Sequence, residues 1–237
     1  TALLSIITIV ATIVVFVVAV YAQAMKIEIP LSFGRVRGHG IRWPLQFVYT
    51  SVMPIILVSS LFATLQLWTR LLQNWTGGYQ GGNPVGLIAL LNGPNVVNAI
   101  VQSGGNFGAI APVLLNAFIY MLLMIGGAVL FSIFWVQTSG QDAGSLADQI
   151  MSSGLQIPGF RKDKRILERI LNRYIMPLTV MGGIVIGFLA SFADMMGALS
   201  RGTGILLTVM IIYKLYEDIA REHMMDMNPM VKKFMGK

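Results

Sequence analysis

The sequence predicts an all-α fold, a polytopic transmembrane helix bundle, and three observations carry that prediction. Hydrophobic residues make up 55% of the 237 positions and charged residues 11%, with a mean hydropathy of +0.72. A soluble domain carries about 25% charged residues, so this chain lacks the polar groups to cover a water-facing surface. No Asp, Glu, Lys or Arg occurs from Leu71 to Gln141, a run that a chain dipping into lipid tolerates and a soluble one rarely does. Finally, fifteen of the seventeen basic residues fall on alternate connections, as expected of a chain that crosses a bilayer repeatedly and keeps its cations inside.

The first element, residues 1–25, is an uninterrupted apolar stretch of about spanning length. It is too long for the apolar region of a signal peptide, no basic segment precedes it, and the chain begins with Thr. That start, together with an odd number of spans, predicts a piece of a longer polypeptide. Residues 26–42 form a basic cytoplasmic loop. Ile27, Ile29 and Leu31 alternate with Lys26 and Glu28 before a turn region at Gly38, His39 and Gly40. Period two and a glycine-rich turn predict a hairpin projecting from the membrane, with Arg35, Arg37 and Arg42 on it.

The second span covers residues 43–68, with Trp43 and Trp68 at its ends where an aromatic belt sits. Pro54, about a third of the way in, predicts a kink. Ser51, Ser59, Ser60 and Thr64 give the same helix a partly polar side. Residues 69–110 hold nine glycines between Gly77 and Gly108, which excludes a long regular helix. They read as an extracytoplasmic loop, either surface-lying or re-entrant.

The third span is 111–136. Residues 137–173 follow as the second basic cytoplasmic loop, in which Arg161, Lys162, Lys164, Arg165 and Arg169 fall within nine positions. Arg165, Arg169 and Arg173 recur every four residues and share a helix face, a pattern for an interfacial helix feeding the next span. The fourth span, 174–193, carries Pro177 and the small residues Gly182, Gly183 and Gly187, which permit close helix packing. Residues 194–203 are a short extracytoplasmic loop. The fifth span and its continuation occupy 204–223, and 224–237 form a cytoplasmic tail. The first residue is thus expected outside and the C-terminus inside.

Chemistry is sparse. No span has an ionisable residue at its centre, which argues against proton pumps and ion-coupled carriers. His39 and His223 are the only histidines and there is no cysteine, so neither a metal cluster, a disulfide nor a catalytic pair in the membrane is expected. The sequence therefore implies no enzyme and no cofactor. Two dense basic protrusions exceed what orientation requires and suit a polyanionic partner or the anionic leaflet. A partly polar, kinked wall in an otherwise apolar bundle suits a pore whose greasy neck dewets. Half of an inverted-repeat secondary transporter, or a non-conducting membrane assembly subunit, are the alternatives.

Three stretches, "YTSVMPIILVSSLFATLQLW" (49–68), "GFRKDKRILERILNRYIMPLTVMGGIVIGFLA" (159–190) and "GTGILLTVMIIYKLYED" (202–218), carry a family resemblance. In order and topology the chain resembles the C-terminal half of the SecY family of protein-translocation channels, in its archaeal and eukaryotic-like form. The resemblance implies the last five of ten helices in two pseudo-symmetric halves around an hourglass pore. It places Ile56 and Leu207 in the apolar pore ring, with Leu206 as the neighbouring register. The lateral gate position, often Asn in relatives, falls on Thr64. Ribosome docking falls on Arg35, Arg37, Arg42, Arg161, Lys162, Lys164 and Arg165. Implied partners are the N-terminal half of SecY, the small SecE/gamma-type and beta-type translocon subunits, the ribosome, nascent secretory and membrane polypeptides, and membrane lipids.

Overall fold

In the computed structural model, residues 2–33, 40–46, 52–75, 90–91, 93–103, 107–152, 155–156 and 163–227 are described. Helix α1 (Ala2–Ala24) leads into strands β1 (Lys26–Phe33) and β2 (Gly40–Gln46), followed by α2 (Met53–Trp75) and the short α3 (Val96–Gln102). Helices α4 (Phe107–Thr138) and α5 (Ala143–Ser152), strand β3 (Leu155–Gln156), and helices α6 (Lys164–Met195) and α7 (Gly202–Met227) complete the order. Four of the described helices, α1, α2, α4 and α6, are long and apolar enough to cross a bilayer. The molecule is a multi-pass membrane protein.

The hairpin is present and longer than the alternation suggested. β1 and β2 pair antiparallel from Lys26 opposite Gln46 to Ser32 opposite Gly40. Trp43 therefore sits in a strand opposite Ile29, not at the mouth of a helix, because Gly40–Gln46 is taken up in sheet pairing. This moves Pro54 as well. It occupies the second residue of α2, in the first turn, where a missing N–H breaks no helical hydrogen bond and fixed φ favours initiation. The proline starts the helix instead of kinking it. Pro177, by contrast, lies well inside α6.

Two apolar cores divide the molecule by height. The larger joins Val15 and Ala19 of α1, Ile55 and Val58 of α2, Met124 and Ala128 of α4, Ile186 and Ala190 of α6, and Leu206 and Val209 of α7. The smaller joins Leu45 of β2, Val136 of α4, Ala147 and Ile150 of α5, and Leu167, Leu171 and Ile175 of α6. The buried stripe at the start of α6 is thus Leu167, Leu171, Ile175 and Leu178, while Ile166 and Ile170 are only half-buried and Arg165, Arg169 and Arg173 are exposed. Small residues bring α4 and α6 together. A Cβ on Gly187 would meet the Ile125 Cα at 2.8 Å, and one on Gly183 would meet the Ser132 Oγ at 2.9 Å.

The turn between α6 and α7 lies deep. The backbone N–H of Leu199 donates to the Thr12 hydroxyl at 3.2 Å, and Thr12 is midway along α1. At the other end Lys26 hydrogen-bonds Glu217 of α7. Helices α1 and α7 therefore run parallel, and the apolar part of α7 has only about 20 Å to cover. A helix that meets its first charge at Lys214 is long enough for that distance.

Candidate functional site

Ile56 follows the proline-initiated turn of α2, and Leu207 lies in the second turn of α7. Both are half-buried and pack against the same larger core. Leu206 is only 3% exposed, whereas Leu207 keeps part of its surface open and Thr208 beside it is exposed. Ile55, Val58, Ile205 and Val209 are buried in that same cluster.

Thr64 stands eight residues beyond Ile56, about 12 Å along α2. Its side chain is exposed, and its hydroxyl donates to the Ser60 carbonyl at 2.9 Å. The Ser59 hydroxyl likewise donates to the Ile56 carbonyl at 2.9 Å, and that of Thr69 to Leu65 at 2.8 Å. The polar side foreseen for this helix exists, but these hydroxyl donors are satisfied within the helix itself.

One turn away from Ile56 a cavity of about 390 Å³ opens between α2, residues 91–95, α4 and the α6–α7 turn. Ser59, Gln66, Tyr120, Asp194, Arg201 and Thr203 are among its lining residues. Gln66 donates to the Leu91 carbonyl at 2.6 Å. The Asp194 carboxyl accepts from the Tyr120 hydroxyl at 2.8 Å and from the Gly202 N–H at 2.7 Å. Gly197, at φ +65°, closes the turn below it, where a Cβ would strike the Asn95 side chain at 2.5 Å. Sequence reasoning placed Asp194 and Arg201 only in a loop. The signal that could have singled out Asp194 was a lone acid closing an apolar helix.

Of the basic docking candidates, Arg35, Arg37, Arg161 and Lys162 lie outside the described residues. Arg42 is on β2 opposite Pro30. Arg165 is exposed near the start of α6, where the Asp163 side chain accepts its backbone N–H at 3.1 Å. Lys164 pairs with Asp148 of α5 at 2.7 Å. The two basic segments share one piece of structure. β3 pairs antiparallel with β1, Ser32 opposite Gln156 and Phe33 opposite Leu155, giving the sheet order β2-β1-β3. The strands flanking residues 34–39 and the strand preceding residues 157–162 are thus hydrogen-bonded to one another, on the same side of the bundle. On that side too, hydrogen bonding to the Glu217 carboxylate holds the Lys26 ammonium above the usual lysine range.

Known proteins share this arrangement. The SecY family model matches residues 1–216. The chain is 42% identical over 234 residues to the protein translocase subunit SecY of Methanocaldococcus jannaschii, covering 97% of this chain and 51% of the relative. It is 41% identical to the SecY subunit of Pyrococcus furiosus, over 97% of this chain and 48% of that one. For the SecY subunit of Haloferax volcanii the identity is 39%, over 96% and 49%. Two solved structures superpose with a TM-score of 0.74 at 42% identity, covering 93% of this chain and 50% of theirs. One is described as a protein conducting channel, and the other as a SecY protein whose plug domain stabilises the closed translocation channel and maintains a membrane seal. The chain spans about half the length of the curated relatives it matches. By family model, by relatives and by superposition, the chain belongs to the SecY family.

Proposed function

We propose that this chain is the C-terminal half of the pore-forming subunit of the Sec protein-conducting channel. In that role it passes secretory polypeptides across the membrane and releases signal sequences and membrane helices sideways into lipid. The observation that carries the reading is the shared apolar seat of Ile56 and Leu207, which pack against one buried cluster and each keep part of their surface exposed. In this reading they are the half-ring supplied by α2 and α7. The N-terminal half of SecY completes the ring, and Thr64 lies on the lateral gate.

The physics of such a device needs no broken bond and hence no catalytic residue or cofactor. A nascent membrane segment gains roughly 0.8 kcal/mol for each CH₂ it removes from water, and it collects that gain only when a protein wall opens to lipid. Aliphatic side chains fit around an extended polypeptide without holding it, and an apolar neck sheds water when empty. The internally bonded hydroxyls of α2 support the same reading.

Orientation follows from charge. With α7 taken as the fifth crossing, the hairpin, residues 157–169 and the tail face the cytoplasm, and the first residue faces out. The paired strands β1 and β3 support a single docking surface built from Arg35, Arg37, Arg42, Arg161, Lys162 and Arg165, suited to the polyanionic ribosome. Lys164, tied to Asp148, contributes less to it. The small SecE/gamma-type and beta-type subunits and membrane lipids complete the proposed surroundings.

Site-specific cross-linking tests the reading. Photoreactive residues at positions 56 and 64 of the assembled channel should both label a stalled secretory chain. Labelling of lipid or neighbouring subunits alone at both positions would overturn it.

A further inference from the structure

The two helices that carry Ile56 and Leu207 are joined at one height by a continuous set of contacts. Phe62, six residues beyond Ile56 on α2, meets the Tyr120 ring edge-on, with centroids 6.3 Å apart and planes at 61°. Tyr120 belongs to α4, is 6% exposed, and donates its hydroxyl to Asp194 Oδ2 at 2.8 Å. Asp194, in the last turn of α6, uses its other oxygen to accept the N–H of Gly202, the first residue of α7. Leu207 follows five residues later, about 7.5 Å along the helix.

The fit leaves no slack. A Cβ on Gly93 would lie 3.2 Å from the Tyr120 ring and 3.3 Å from the Asp194 Cβ. A Cβ on Gly202 would come within 2.1 Å of the Ala190 carbonyl oxygen, so the start of α7 rests directly on the backbone of α6. The first N–H groups of a helix have no partner inside it, and here one of them is met by a carboxyl group that a tyrosine from a third helix also holds.

We propose that Tyr120 and Asp194 are positioning residues for the pore constriction. Their hydrogen bond fixes the start of α7 against α2, and so sets the depth at which Leu207 stands relative to Ile56. The inference rests on the pore reading of those two residues. A cap that served stability alone would need only Asp194 and Gly202. The Tyr120 hydroxyl adds the link to the Phe62 side of α2.

The test is the resting ion conductance of the complete channel, reconstituted with its partner subunits in a planar bilayer without substrate. Tyr120→Phe keeps the ring and its contact with Phe62 and removes only the donor. Losing one hydrogen bond to a carboxyl group should shift the closed state enough to raise resting conductance about tenfold. Asp194→Leu, which leaves no oxygen to accept from either partner, should leak at least as much, and adding Tyr120→Phe to it should raise the conductance no further, since the link is already broken. Gly187→Ala, which strains the α4–α6 seam away from this link, serves as the comparison. If it leaks as much as Tyr120→Phe for the same drop in unfolding temperature, the positioning role is overturned. Parental conductance in Tyr120→Phe, or additive leaks in the double variant, would overturn it as well. Ile56→Ser and Leu207→Ser keep the two readings apart: a leak in these with none in Tyr120→Phe rejects the positioning role alone, whereas no leak in any variant removes the pore reading beneath it.

Discussion

At the scale of single residues, the ion pair between Lys26 and Glu217 has a defined and modest weight. The two side chains are 37% and 24% exposed, so solvent screens them and the pair contributes no more than about 1 kcal/mol. Because bonding to Glu217 raises the Lys26 pKa in the folded protein, its stabilisation is complete below the ordinary lysine value. It is lost as pH climbs through the raised folded value. Glu217→Gln should therefore lower the unfolding temperature slightly at pH 7, and the difference from the parent should vanish in strongly alkaline buffer. A constant difference across that range would show that packing and not charge is lost. The residue scale is also where the sequence was least readable. Thr64, Ser59 and Ser60 announced a polar face, but nothing in their spacing showed that the Thr64 and Ser59 hydroxyls turn back onto their own helix. Asp194 finds Tyr120 across 74 positions of chain, and no local pattern foretells such a pairing.

At the scale of elements, composition reads the long helices well, because a mostly apolar stretch of 23 residues, as in α1, has few ways to satisfy its backbone in lipid. The errors fell where two apolar elements adjoin. Strand β2 and the start of α2 form one hydrophobic stretch in sequence, so Trp43 is expected at the mouth of a helix and Pro54 inside it, whereas the helix begins at Met53. Strand β3 has two residues, too few for any alternation to register, although it ties the two basic segments together. The glycines of α6 were read correctly as a packing seam, and the geometry makes them quantitative. Gly187→Val would drive a branched side chain into the backbone of α4, whose Ile125 Cα stands 2.8 Å from the first added carbon. Overpacking of this kind costs about 1–3 kcal/mol. Thermal unfolding in detergent should show a marked drop for Gly187→Val and almost none for Gly126→Val, since a Cβ on Gly126 meets nothing within 4 Å. Equal drops would mean that helix propensity, and not the seam, decides.

At the scale of the whole molecule, a short last helix, a deep turn and a shared basic side belong to one design. The α6–α7 turn meets α1 at its midpoint, so α7 begins partway through the height of α1 and needs no full-length apolar stretch. That geometry explains why a helix with Lys214, Glu217 and Asp218 can still accompany four conventional spans. It also leaves room beside α2 for a cavity on the far side of the Ile56 and Leu207 level from the basic strands. The proposed channel role depends on the sidedness of this arrangement. The chain has no cysteine, so single cysteines at positions 35, 80 and 161 are its own labelling sites when the channel is purified after labelling of intact cells. A membrane-impermeant maleimide added outside should label position 80, in the long glycine-rich connection, and leave 35 and 161 untouched until the membrane is opened. Labelling of either 35 or 161 from outside would contradict the account.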